Sequence, residues 1–139
     1  MTSVLLRHAS AGHRHRWEVD DQLRPLDARG RRQAVALVEL LRPLDVRRVL
    51  SSPYVRCIET VQPLAAALGI EVECRDELAE ETPADRARAL IGELGATPAV
   101  LCTHGDLTTA LLGGHYLRKG HAAVLDPARG LQPVEFLTS

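Results

Sequence analysis

Residues 3–9 read Ser3-Val4-Leu5-Leu6-Arg7-His8-Ala9, an apolar run that stops abruptly on a guanidinium and an imidazole. A short run without polar alternation fits a strand covered on both faces. The pattern returns at Arg48-Val49-Leu50-Ser51, with Arg56 one helical turn into the next segment. It returns again at Ala99-Val100-Leu101-Cys102, closed by Thr103-His104-Gly105-Asp106. The segments between carry helical spacing. Ala34, Leu37, Val38 and Leu41 form one apolar face behind a capping Asp27, with Pro43 near its end. Val55, Ile58, Val61, Leu64 and Leu68 form another, capped by Ser52 with Pro53 in the first turn, kinked near Pro63 and closed by Gly69. Ala87, Leu90, Ile91 and Leu94 form a third, opened by Thr82-Pro83, with Asp85 in a capping-box-like position.

Ile70 to Cys74 predicts a brief alternating strand, and a further helix is expected from the His104 turn through Leu117. Val124-Leu125 and Val134 to Leu137, around Pro127 and Gly130, read as a closing hairpin. Strands alternating with helices imply parallel pairing and an α/β fold of three layers, a mostly parallel central sheet flanked by helices. The 139 residues hold no repeat, low-complexity tract or linker, so a single domain over residues 1–139 is expected.

At 45% hydrophobic and 25% charged, the chain has the apolar mass for a core, and with 3% aromatics that core must be Leu, Val, Ala and Ile. A formal net charge of −1 argues against nucleic acid as a partner, which demands a clear positive excess. Of the 17 basic residues only Lys119 is lysine, an arginine bias of the kind a GC-rich genome imposes. Cys57, Cys74 and Cys102 lack metal-type spacing and fall in predicted helix or strand, where a free thiol packs as a small buried group, as suits a reducing compartment. No signal-peptide pattern opens the sequence, and no apolar run reaches the ~18 residues of a membrane span. A cytoplasmic protein without a membrane partner is the expectation.

In layered α/β folds, ligands bind beyond the carboxyl ends of the strands. That edge receives Arg7, His8, Arg56 and His104, each after a different apolar run or one turn beyond it. Arginine offers a rigid fork of donors that matches phosphoryl oxygens and stays charged. Phosphoryl transfer needs mainly positioning and neutralisation of charge on three equatorial oxygens. A neutral imidazole with one nitrogen protonated can attack phosphorus with the other, and a second imidazole, if protonated, can donate to the same oxygens. Such a site needs no metal and no cofactor. Each residue also fits a plainer role, as a surface strand end, an exposed helix arginine or a turn histidine, and placement alone leaves both readings open.

Other chemistries fit poorly. No cysteine is followed six positions later by arginine, there is no Asp-x-Asp pair, and there is no Gly-x-x-x-x-Gly-Lys loop. The stretch Gly12-His13-Arg14-His15-Arg16-Trp17 lies close to His8 in sequence. Arg14 and Arg16 can rim a pocket and meet a second phosphate or an acidic surface, or the loop is simply solvated. His13 and His15 have no cysteine or carboxylate at ligand spacing, so no metal site is expected.

Arg7-His8-Ala9, the segment Ser51-Ser52-Pro53-Tyr54-Val55-Arg56-Cys57-Ile58-Glu59-Thr60 and Thr103-His104-Gly105 resemble, in order, the three signature segments of the histidine phosphatase superfamily. Arg24-Pro25-Leu26-Asp27-Ala28-Arg29-Gly30 resembles that family's approach to its first helix, and the likeness runs from Leu5 to about Leu112. The resemblance implies a phosphoglycerate mutase-like fold, His8 as phospho-acceptor, and a phosphate pocket of Arg7, Arg56, His104 and Gly105. Glu80 stands where a Leu-x-Glu element of the family would place a general acid, with Glu81 as its rival. The short chain resembles the small bacterial phosphohistidine phosphatases of the SixA type. The first loop and Glu80-Glu81 are similar to the phosphatase domain joined to some actinobacterial Nudix hydrolases.

The resemblance therefore implies a metal-independent phosphatase passing through a phosphohistidine on His8, with protein phosphohistidine or a small phosphorylated metabolite as substrate. The alternatives are a nucleotide or polyphosphate phosphohydrolase, and a non-catalytic phosphate-binding module of the same fold. Intact Arg7, His8, Arg56 and His104 argue against the module, and a chain too short for a lid argues against a mutase.

Overall fold

In the first strand, β1 (Ser3–Arg7), Val4 and Leu6 face one side of a sheet and Leu5 the other, and all three are fully buried. Strand side chains alternate between faces, so an uninterrupted apolar run can be buried throughout only if both faces are covered. The computed structural model, which describes residues 3–126 and 133–139, supplies both covers. Helices α1 (Ala28–Leu41) and α2 (Val55–Leu68) bring Leu37, Leu41, Val61 and Leu64 against Val4, Leu6, Val100 and Cys102. Helices α3 (Ala84–Leu94) and α4 (Gly105–Leu111) bring Leu90, Leu94 and Leu111 against Leu5, Leu50 and Leu101 on the opposite face. Each such leucine contributes about 1.5–3 kcal/mol by leaving water. The three layers are those expected.

The sheet has the order β3-β2-β4-β1-β5-β6, with β2 (Arg48–Ser51), β3 (Val72–Cys74), β4 (Ala99–Thr103), β5 (His121–Leu125) and β6 (Pro133–Thr138). Strands β3, β2, β4 and β1 are parallel, with Leu5 opposite Leu101. β5 runs antiparallel to β1, and β6 antiparallel to β5, so the closing hairpin extends the main sheet. The turn expected around Pro127 and Gly130 lies outside the described residues. The segment after β1 climbs one face as α1 and the segment after β4 the other as α4. A crevice therefore opens between the carboxyl ends of those neighbouring strands, where α/β sheets hold ligands.

Several local expectations are corrected. Ser52 does not cap α2: Tyr54 occupies that position without a side-chain bond, and the helix runs from Val55 through Pro63 to Leu68. The Ser52 hydroxyl instead accepts the Tyr54 backbone N–H at 3.2 Å and meets His104, so it serves the strand end. At α3 the cap position is Pro83, while the Thr82 hydroxyl turns back to donate to the Asp76 carbonyl at 3.2 Å and Asp85 pairs with Arg88 at 3.2 Å. α4 ends at Leu111, well short of Leu117, because Gly113 and Gly114 take left-handed φ values of 65° and 96° that reverse the chain. Cys57 and Cys102 are buried as expected, but Cys74, on the edge strand, is exposed. No helix among the described residues is long and apolar enough to cross a membrane.

Candidate active site

β1 delivers Arg7 and His8 to the crevice. The His8 N–H donates to the Thr103 carbonyl at 3.0 Å, carrying the β1–β4 ladder one residue further. From the other side the Gly120 N–H donates to the carbonyls of Arg7 and His8, at 3.1 and 3.0 Å. The backbone around His8 is thus held from both flanks. Beyond it the Ala9 N–H donates to the Thr60 hydroxyl at 2.9 Å, which itself donates to the Arg56 carbonyl at 2.6 Å, tying this turn to α2.

His8 is 5% exposed, and its Nδ1 lies 2.8 Å from the Ala9 carbonyl. A carbonyl can only accept, so the proton resides on Nδ1 and Nε2 carries the lone pair. Burial first, then the positive charges of Arg56, Arg7 and Lys119, outweigh that hydrogen bond and push the pKa down to about 3. His104, at the cap position of α4, is 1% exposed and rests with Nε2 2.8 Å from the Ser52 hydroxyl. Burial, then His8 and Arg56, push it to about 2. The two rings stand edge to face with centroids 5.5 Å apart. Both are neutral in the unliganded protein, and an incoming phosphoryl dianion would favour protonating His104.

Two arginines supply fixed charge. Arg56 is fully buried in the first turn of α2, where an ordinary helix arginine would reach for water. It is steered by Asp21, donating to that residue's carbonyl at 2.8 Å and carboxylate at 3.0 Å, and its guanidinium lies 4.9 Å from the centre of the Tyr54 ring. Arg7 donates to the Tyr116 hydroxyl and the Leu117 carbonyl, both at 3.0 Å. In each arginine the Nε–H is buried and meets no acceptor among the described residues. Buried donors are nearly always satisfied, so two unmet guanidinium donors beside two neutral imidazoles mark a place for an oxyanion. Gly105 makes the approach possible, since a Cβ there would lie 2.7 Å from the Arg7 guanidinium carbon.

The pocket of about 300 Å³ is lined by Arg7, His8, Arg14, Glu80, Gly105 and Lys119, among others. Glu80 points into it, half-buried, pairing with Arg14 and lying 3.4 Å from Arg56. Glu81 is separated from it by backbone geometry: at φ 68° the chain turns, and the Glu81 N–H donates to the Asp106 carboxylate at 2.8 Å while its side chain is exposed. Arg14 and Arg16 also part company. Arg14 lines the pocket, whereas Arg16 lines a neighbouring cleft with Trp17 and Pro25 that shares Gly12, His13 and Arg24 with it. Among the described residues no three His, Cys, Asp or Glu side chains are grouped to hold a metal.

Sequence reasoning missed Asp21, Tyr116 and Lys119. Asp21 accepts from Arg24 at 2.9 Å and from Arg56, and although burial alone would raise its carboxyl, these bonds and charges hold it below the usual range. Nothing in its local sequence sets Asp21 apart from Asp20. Lys119 had a signal, being the chain's single lysine. Its ammonium is lowered by burial and then by Arg7 and Arg24.

Known proteins resemble the chain in sequence and in fold. The family model of the histidine phosphatase superfamily (branch 1) matches residues 3–83. An 8-oxo-(d)GTP phosphatase of Mycolicibacterium smegmatis is 37% identical over 116 residues, which make up 80% of this chain and 36% of that protein, so the chain spans about a third of that relative's length. Among solved structures, the protein histidine phosphatase SixA complexed with tungstate superposes with TM-score 0.79 at 20% identity, covering 99% of this chain and 97% of that one. A mycobacterial glucosyl-3-phosphoglycerate phosphatase complexed with VO3 gives 0.72 at 21%, covering 90% and 92%. These two establish the likeness of fold, which is phosphoglycerate mutase-like. With the family model matching more than half of its length, the chain belongs to the histidine phosphatase superfamily, branch 1, and phosphatase activity is the chemistry that family and pocket support.

Proposed function

We propose that the chain hydrolyses phosphate groups without a metal, through a phosphohistidine formed on His8. The observation that carries this reading is the 2.8 Å contact of His8 Nδ1 with the Ala9 carbonyl, which calls for the ring proton on Nδ1 and leaves Nε2 to attack. Substrate phosphate oxygens would take the Nε–H donors of Arg7 and Arg56 and a donor from His104. His8 Nε2 then attacks phosphorus in line, the bond to the leaving group breaks, and Glu80, if protonated, gives the leaving oxygen its proton. Water next attacks the phosphohistidine, losing its proton to Glu80 and releasing orthophosphate and neutral His8. A phosphoramidate leaving group carries its own proton, so phosphohistidine depends less on Glu80. The reading names protein phosphohistidine or a small phosphorylated metabolite as substrate, in a reducing, cytoplasmic setting, with no cofactor.

A second reading, hydrolysis of nucleotides or polyphosphates, is favoured by the relative named as an 8-oxo-(d)GTP phosphatase. A panel of nucleoside di- and triphosphates run beside a phosphohistidine protein separates the two. The first test is p-nitrophenyl phosphate hydrolysis in excess EDTA by the wild type and His8→Ala, with acid-labile, base-stable label sought on the wild type. Activity that survives chelation and is lost in the variant supports the proposal. A variant with full activity sinks it.

A further inference from the structure

We propose that a second anion subsite adjoins the pocket, formed by Arg29, Arg118 and Lys119, and that it takes a second phosphoryl group linked to the first in a small-molecule substrate. The inference rests on the reading of the His8 pocket as a phosphoryl site.

A cleft of about 690 Å³ opens beside the pocket and shares Gly12, His13, Tyr116 and Lys119 with it, so the two adjoin along those four residues. α1 contributes Arg29 in its first turn, the α4–β5 connection contributes Arg118 and Lys119, and β5 begins with His121. Gln33 braces the wall, accepting from the Ser10 N–H at 2.9 Å and donating to the Lys119 carbonyl at 3.2 Å.

The charge here is unbalanced. Among the described residues, neither Arg29, Arg118 nor Lys119 forms an ion pair with a carboxylate, and the lining of the cleft offers them Asp27 alone. Asp27, the carboxylate lining the cleft, is occupied by the Ser10 hydroxyl and the N–H groups of Gly12 and Gly30. Arg29 and Arg118 both stand close enough to act on one group: burial first, then Arg118 and Arg29, hold His121 below the ordinary imidazole range. Like charges gathered in a concave site raise the local concentration of anions. Lys119, half-buried and lining both openings, can touch both phosphoryl groups. On the opposite wall Arg14 is already neutralised by Glu80 and Asp21, so the second group is drawn toward Arg29 and Arg118, not toward the loop of residues 12–17.

The test compares dissociation constants of orthophosphate and tripolyphosphate by calorimetry, for the wild type, for Arg29→Ala/Arg118→Ala, and for Arg42→Ala/Arg47→Ala, which removes equal charge at the other end of the sheet. The wild type should prefer tripolyphosphate by about tenfold or more, the effect of two screened ion pairs. In the Arg29/Arg118 variant that ratio should shrink to within about threefold, while the Arg42/Arg47 variant keeps it. A wild type that binds both anions equally overturns the subsite alone, as does an Arg29/Arg118 variant that keeps the ratio, or an Arg42/Arg47 variant that loses it equally. A wild type that binds neither anion overturns the pocket reading and the subsite with it.

Discussion

Gly105→Ala tests the pocket at one methyl group. Gly105 does not need a left-handed backbone, so the substitution acts through volume alone. Its Cβ would stand 2.7 Å from Arg7 Cζ and 2.9 Å from Arg7 Nε, closer than carbon tolerates. The guanidinium cannot simply swing aside, because its Nη1 is held by the Tyr116 hydroxyl and the Leu117 carbonyl, both at 3.0 Å. Retreat takes Nε away from the oxyanion, at the cost of one charge-assisted hydrogen bond, about 1.5–3 kcal/mol. kcat/KM for p-nitrophenyl phosphate should therefore fall about 10- to 150-fold. Overpacking costs about 1–3 kcal/mol of stability, partly offset by the roughly 0.5–1 kcal/mol that alanine gains over glycine in a helix. The protein should stay folded, with a thermal midpoint displaced by only several degrees. The discriminating assay is a double-mutant cycle: in an Arg7→Ala background the added methyl loses its three nearest contacts, and Gly105→Ala should cost little more. A single variant within twofold of wild type, or an equal loss in both backgrounds, refutes the reasoning.

The same geometry sets four further outcomes. Asp21→Asn should lower kcat/KM about 5- to 30-fold by loosening fully buried Arg56, a moderate loss because Asp21 is 29% exposed; unchanged steady-state kinetics would make Asp21 a bystander. Glu80→Gln should slow aryl ester cleavage more than phosphohistidine cleavage, and equal slowing of the two substrates would argue against its acid role. Glu substitutions should divide the basic loop, with Arg14→Glu raising KM severalfold and Arg16→Glu leaving it unchanged; equal effects would contradict their separation. Acid should destabilise the fold: His8 and His104 have pKa values near 3 and 2 when folded against 6.5 unfolded, so below about pH 6.5 the unfolded state binds the extra protons. Stability is full above that pH and falls on acidification by about 1.4 kcal/mol per unit for each ring, and denaturant melts of His8→Asn, with one such ring left, should show about half the wild-type slope if the reasoning holds.

The fold was legible where side chains answer to burial. The apolar runs at 4–6, 49–50 and 99–102 show no polar alternation, and that demands layers on both sides. It was less legible where backbone ends are set by tertiary contacts. Ser52 and Thr82 have the chemistry of caps, yet each hydroxyl is drawn to a nearer partner, and the helices begin later. The site divides in the same way. Arg7, His8, Arg56 and His104 come together because each is fixed by its position at a strand end or first helical turn. Glu80 and Glu81 were inseparable in sequence, since a single φ of 68° decides which one faces the pocket. Asp21 and Tyr116 lay hidden because their partners, Arg56 and Arg7, stand 35 and 109 positions away.

The clamp on the main chain of His8 has an evolutionary corollary. His8 sits at the end of a strand flanked by β4 and β5, and its own amide and carbonyl are bonded to Thr103 and Gly120. By contrast, the walls of the hollow come mainly from the connections between elements, residues 12–27 and 113–120. Asp21, Tyr116, Leu117 and Gly120 in those segments hold Arg56, Arg7 and His8, but outward side chains such as Arg16 and Arg118 can be recharged without disturbing the ladder that aims the imidazole. New substrates can then be reached by editing single positions in two connections while the anchors of the pocket stay in place, which makes the scaffold a ready starting point for laboratory recruitment to phosphate esters it never met in nature.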